Sequence, residues 1–195
     1  YDDVRRLPAE ERRALAGLPF SEKKLQKDIG APGLFGEKGF TTLERLWTRP
    51  TLEINGLYSG FIGEGAKTVL PARAMAKISM RLVPNQDPAK IARAFTQYVK
   101  RLSPKTVRLK VTELSGRGTP WLAPTNHPAV QALARAIQKG FGKKPVFTRT
   151  GGTIAVVPTL DRLLRAPILF LGIGLPDENA HAPNEKLDLD NLHHG

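Results

Sequence analysis

The sequence has 195 residues, 41% of them hydrophobic and none of them cysteine, which suits one large or two small globular domains and excludes disulfide stapling and cysteine-based zinc or nucleophile chemistry. No apolar run approaches the ~20 residues of a membrane helix and the first residues lack the apolar core of a signal peptide, so a cytoplasmic protein with no membrane partner is expected. The net charge of +12 sits mostly in residues 1–121, which carry +10, and those cations are scattered without interleaved aromatics, so nucleic acid is not expected as a partner either.

Residues 1–50 contain three short helical patterns, at 8–15, 21–25 and 41–47. Ser21 and Thr41 are placed to cap the second and third, because a side-chain oxygen there accepts an otherwise orphaned backbone N–H. Pro8 suits a first helical turn, where no N–H is needed. The glycines and proline at 30–33, with Gly36, separate the second pattern from the third. The charges of this segment read as a solvated face, and nothing in it suggests chemistry.

From 51 to 114 the pattern becomes strand, strand, helix, strand. Residues 51–58 alternate apolar and polar. In 74–82, Ala76, Ile78, Met80 and Leu82 point one way and Lys77, Ser79 and Arg81 the other, which predicts two half-buried strands. Asp87-Pro88 supplies a cap and a first-turn proline to a helix whose apolar positions are Ile91, Ala94, Phe95, Tyr98 and Leu102. Val107, Leu109 and Val111 alternate with polar residues and close a small α+β layer, like part of a split βαβ fold. Between the first two strands, Gly60-Phe-Ile-Gly63-Glu-Gly65-Ala-Lys67-Thr68 is not a phosphate loop. Ala66 separates the lysine from the glycine, and a strand follows where a helix N-terminus is needed. It reads as a glycine-rich hairpin connection.

Gly116, Gly118 and Pro120 punctuate the passage to a second region, which places a domain boundary near Trp121 and gives domains 1–121 and 122–195. Asn126-His127-Pro128 opens a helix with Val130, Leu133, Ala134 and Ile137 on its apolar face and Gly140 as its expected stop, and His127 reads as a surface residue. Residues 145–148 read as a strand that delivers Arg149-Thr-Gly151-Gly152-Thr153 to the start of the apolar segment 154–164, an anion-friendly arrangement. The apolar run 167–171 is short and without alternation, as in strands covered on both faces. Just past its carboxyl end, where open α/β sheets place their ligands, Asp177, Glu178, His181, Asn184 and Glu185 crowd into one loop. By its chemistry alone one imidazole makes no metal site, and His181 reads as a surface histidine. Asp188 caps a last helix start, and the adjacent His193 and His194 share no helix face on which to bind metal.

The segment Asn179-Ala-His181-Ala-Pro-Asn184-Glu185 resembles the last metal-binding motif of the two-zinc peptidases that include carnosinase, aminoacylase, succinyl-diaminopimelate desuccinylase and glutamate carboxypeptidase. The similarity runs over essentially the whole chain and is strongest to the cytosolic dipeptidase, or carnosinase-like, branch. Glu53-Ile-Asn-Gly56, the residues 63–71 and Met80-Arg81-Leu-Val-Pro84 resemble that branch's lid, or dimerisation, domain. Arg149-Thr-Gly151-Gly152-Thr153 resembles its substrate-binding turn, with threonine in place of a usual serine.

The resemblance implies a fold of α/β and α+β class: a partial ferredoxin-like lid over residues 1–121, then the carboxyl-terminal part of a mixed-sheet metallopeptidase domain. It implies that the chain is a C-terminal fragment, with the other metal ligands and a general-base glutamate upstream of Tyr1. His181 would be a metal ligand. Thr68 and Arg81 would serve a substrate site shared across a homodimer formed by the lids, and Arg149, Gly151, Gly152 and Thr153 would form the substrate turn. Their chemistry suits those roles, since a hydroxyl can bond a peptide oxyanion and a guanidinium can clamp a carboxylate at two points. The implied activity is hydrolysis of a small peptide or amide beside a free carboxylate by water activated on two divalent metal ions, zinc, with manganese or cobalt as alternatives. The chain alone is expected to be inactive. The alternative from a different class is a non-catalytic basic α+β domain that binds a protein or nucleic-acid partner.

Overall fold

In the computed structural model every residue is described except 115, 116, 152 and 153. The chain divides into two units, residues 1–120 with 149–155 and residues 121–148 with 156–195.

The first unit opens with α1 (Ala9–Ala16), α2 (Glu22–Asp28) and α3 (Thr42–Thr48). Local chemistry fixes their starts. The Ser21 hydroxyl accepts the Lys24 N–H at 3.2 Å. Thr41 and Glu44 form a reciprocal capping box, in which the Glu44 N–H donates to Thr41 Oγ1 at 3.3 Å and the Thr41 N–H to Glu44 Oε2 at 2.7 Å. The expectation of a merely solvated charged face is corrected here. Glu44 is 2% exposed and accepts Arg12 of α1 at 2.7 Å, while Thr42 donates to Glu22 and Thr48 to the Glu44 carbonyl. A carboxylate so deeply placed requires such partners, because an unpaired buried charge costs several kcal/mol, of order ~3–5 when one member of a pair is removed. Leu15 and Leu43 supply the apolar part of the cluster.

Two strands follow, β1 (Glu53–Ser59) and β2 (Ala74–Ser79), paired antiparallel with Glu53 opposite Ser79 and Tyr58 opposite Met75. The register slips between Ile54 and Gly56, as at a β-bulge. The Thr51 N–H donates to the Arg81 carbonyl at 3.0 Å and prolongs the pairing past the ribbon. The strands exist as predicted but are not half-buried: Leu57 is 76% exposed and Met75 55%. The helix α4 (Pro88–Leu102) starts where Asp87 accepts the Ala89 N–H at 2.8 Å, and it buries Ile91. Buried Gln86 ties its entry, accepting from the Val83 N–H at 3.0 Å and donating to the Asp2 carbonyl at 3.1 Å.

In the second unit, α5 (Pro128–Phe141) is capped by His127, whose Nδ1 accepts the Ala129 N–H at 3.1 Å. It runs through Gly140, the predicted stop, and ends at Gly142, whose φ of 69° is the left-handed conformation that closes a helix. Gly140 instead meets a neighbour: a Cβ there would lie 2.4 Å from the His194 carbonyl oxygen. The helices α6 (Val157–Leu164) and α7 (Leu189–His194) follow, the latter capped by Asp188 at 3.0 Å from the Asn191 N–H. Among the described residues of this unit Val130 and Val157 are buried, and Trp121 meets Phe170 edge to face at 5.7 Å.

Three predicted strands, 107–111, 145–148 and 167–171, are not strands among the described residues. A strand needs a neighbouring backbone to complete its ladder. These runs have the side-chain pattern without that neighbour, and Val107, Val146 and Phe170 remain 58%, 65% and 52% exposed. The α/β and α+β class that the resemblance implies stands, carried among the described residues by seven helices and one small sheet.

Candidate functional site

The first unit brings together three of the predicted site residues. Arg81 follows β2, where its carbonyl is held by Thr51, and its Nη1 donates to the Gly151 carbonyl at 2.6 Å. Arg149, two residues before Gly151, is gripped side-on by Glu11 of α1, with Nε donating to Oε1 and Nη2 to Oε2. The Arg149 side chain is 10% exposed and that of Glu11 30%, so the pair is largely withdrawn from water and its two parallel bonds matter more than an exposed ion pair would. Gly151 is required by a close approach rather than by its torsion angles. A Cβ there would sit 2.6 Å from the Leu46 carbonyl oxygen of α3.

The result is a turn clamped from three elements: α1 through Glu11, the end of β2 through Arg81, and α3 through Leu46. Gly152 and Thr153, the rest of the predicted substrate turn, lie outside the described residues. Thr68 is exposed in the loop between β1 and β2, and none of these hydrogen bonds reaches it. Glu11 was missed by sequence reasoning, since no local pattern announces a partner 138 residues away.

The second unit places His181 in a loop closed at its base. Lys186 Nζ pairs with Asp177 at 2.8 Å, and the Lys186 N–H donates to the Glu178 carbonyl at 3.0 Å. The hydrogen bond to Asp177, with its negative charge, raises the Lys186 pKa above the ordinary lysine value. Within the loop Asn179, His181 and Asn184 all take positive φ, at 55°, 63° and 61°. Asparagine and histidine are among the non-glycine residues that tolerate this region, yet three in six positions make a strained loop, and such strain clusters at binding sites. His181 is exposed, so its imidazole is accessible. Among the described residues no group of three or more His, Cys, Asp or Glu is placed to hold a metal ion. No helix among them is long and apolar enough to cross a membrane.

Residues 4–107 match the family described as peptidase dimerisation domain, a match over more than half the chain. The chain belongs to the M20 peptidase dimerisation-domain family. It is 32% identical to the Cys-Gly metallodipeptidase dug1 of Schizosaccharomyces pombe, over 98% of this chain and 40% of that protein. It is 26% identical to the Beta-Ala-His dipeptidase of Homo sapiens, over 96% of this chain and 38% of that one. Among solved structures, an M20 family metallo-carboxypeptidase from Sulfolobus solfataricus superposes with a TM-score of 0.80 at 30% identity, covering all of this chain and 44% of the other. The di-peptidase Dug1p from Saccharomyces cerevisiae gives 0.78 at 30% identity, covering 99% and 41%. The chain therefore has the fold of part of an M20 metallopeptidase, and it spans about two fifths of the length of the curated relatives it matches.

Proposed function

We propose that this sequence is part of an M20 metallodipeptidase, with residues 1–121 contributing the lid and 122–195 part of the catalytic domain. The observation that carries this reading is the turn at Arg149, held by side chains from α1 and from just past β2 within a chain that belongs to the M20 family. Arg149 holds the carboxylate of a small peptide through the N–H groups that Glu11 leaves unused. Arg81 fixes the turn through Gly151 and, with Thr68, serves the substrate across a homodimer. Gly152 and Thr153 are assigned the same substrate-binding role.

His181 offers one electron pair to a divalent metal, zinc being the first choice by its affinity for imidazole, and the remaining donors and the general base come from outside this sequence. Two metal ions bound in that centre would activate the attacking water. The work of this chain's own residues is to orient and hold the substrate. The compartment proposed is the cytoplasm.

Two variants of the full-length protein test the assignment. His181→Ala should lower metal content and abolish turnover. Arg149→Lys keeps the charge but loses the planar two-point grip, so it should leave metal content intact and weaken transition-state stabilisation of free-carboxylate dipeptides by ~2–4 kcal/mol. A C-terminally amidated dipeptide lacks the contact and should lose little further. Equal losses on free and amidated substrates would overturn the clamp.

A further inference from the structure

The grip of Glu11 on Arg149 uses only one edge of the guanidinium, the one formed by Nε and Nη2, and Nη1 takes no part in it. An arginine presents five N–H donors in a rigid plane, so fixing one edge fixes the direction in which the other faces. On α1, Glu11 is itself held in place. Leu15, one turn further along and on the same helix face, is 3% exposed in the core, and the adjacent Arg12 is paired to the nearly buried Glu44 at 2.7 Å. Rotation or sliding of α1 would break both anchors. Glu11 is thus a carboxylate on a pinned helix, bonded at two points to a long side chain that would otherwise lose considerable rotamer freedom on binding.

Resting on the carboxylate-clamp reading of Arg149, we propose that Glu11 is a positioning residue for substrate recognition: it engages the Nε–Nη2 edge of Arg149 and so presents the Nη1 end to the carboxylate of a peptide substrate. A substrate carboxylate is then selected by hydrogen-bond geometry rather than by bare charge, because Glu11 already balances the charge of Arg149. The opposite role would be a placeholder that occupies the clamp and must be expelled. The two roles differ in sign. Removal of a positioning carboxylate weakens binding of the substrate carboxylate, whereas removal of a competitor strengthens it.

The test is steady-state kinetics of the full-length protein, parent and Glu11→Gln, on cysteinyl-glycine and on cysteinyl-glycinamide, with thermal unfolding measured alongside. Glutamine keeps the size of the side chain and can still accept one N–H, but it loses the second charged acceptor. The expected result is a KM for cysteinyl-glycine about tenfold higher with kcat changed far less, and less than a threefold change on the amide. Glu11→Asp should fall between the parent and Glu11→Gln. A lower KM in Glu11→Gln, or equal losses on both substrates tracking a lowered unfolding temperature, would overturn the proposal. Arg149→Lys on the same substrates separates the two failures. If it distinguishes acid from amide and Glu11→Gln does not, only the role of Glu11 falls; if Arg149→Lys fails to distinguish them, the clamp itself is wrong and the role of Glu11 falls with it.

Discussion

Gly151 was legible as a glycine the turn needs, but the reason was not. The resemblance makes it part of a substrate turn, whereas the structure puts the Leu46 carbonyl against it, 2.6 Å from where a Cβ would stand. A backbone atom in a helix cannot swing aside as a flexible side chain can, so Gly151→Ala must shift either the turn or α3. Overpacking of this kind costs ~1–3 kcal/mol. Because the same residue's carbonyl receives Arg81 at 2.6 Å, part of that cost should appear as a looser turn. Chemical denaturation should show the midpoint falling, and the KM for a free-carboxylate dipeptide should rise in the full-length protein. An unchanged midpoint would mean that the contact with Leu46 is readily relieved. Glu11 is the opposite case. Its residue type and helical setting are ordinary, and only the fold, by joining positions 11 and 149, gives it a role.

At the scale of elements, the helices were the readable part. Their starts are set by contacts within three residues, such as Ser21 with Lys24 and Asp188 with Asn191, and signals that short survive in a sequence. The strand at 107–111 was misread for the converse reason, since alternation supplies the side chains of a strand but not the partner that completes it. The loop around His181 adds a testable dependence on pH. Its base is closed by Lys186 on Asp177, and the hydrogen bond and charge of Asp177 raise the lysine pKa. A raised pKa in the folded state means that the contribution to stability is complete below the unfolded lysine value of about 10.4 and is lost as pH rises through the higher folded value. The difference in unfolding temperature between the parent and Lys186→Met should therefore be present at neutral pH and fade only on the alkaline side of that value. A difference that vanished on acidification from pH 9 to pH 7 would contradict this.

For the whole molecule the central fact is uncovered apolar surface on a family member whose matching segment is a dimerisation domain. Leu57 on β1 and Met75 on β2 stand 76% and 55% exposed, and among the described residues no third strand pairs with either outer edge of the ribbon. Burial of such surface against a second copy is favourable at roughly 25 cal/mol per Å² of apolar area. The charge works against it, since residues 1–121 carry a balance of +10 and two copies repel at low ionic strength. Salt screens that repulsion, with a Debye length of about 30 Å at 0.01 M falling to about 8 Å at 0.15 M, while the apolar term persists. Sedimentation equilibrium of the full-length protein should accordingly show a dimer that tightens as salt is raised over that range. Leu57→Lys, at a position too exposed to matter for folding of the protomer, should shift the equilibrium towards monomer at every salt concentration. A dimer that dissociated on adding salt would place ion pairs, not this ribbon, at the interface, and a fully active monomer would end the proposal that Thr68 reaches a site on the opposite subunit.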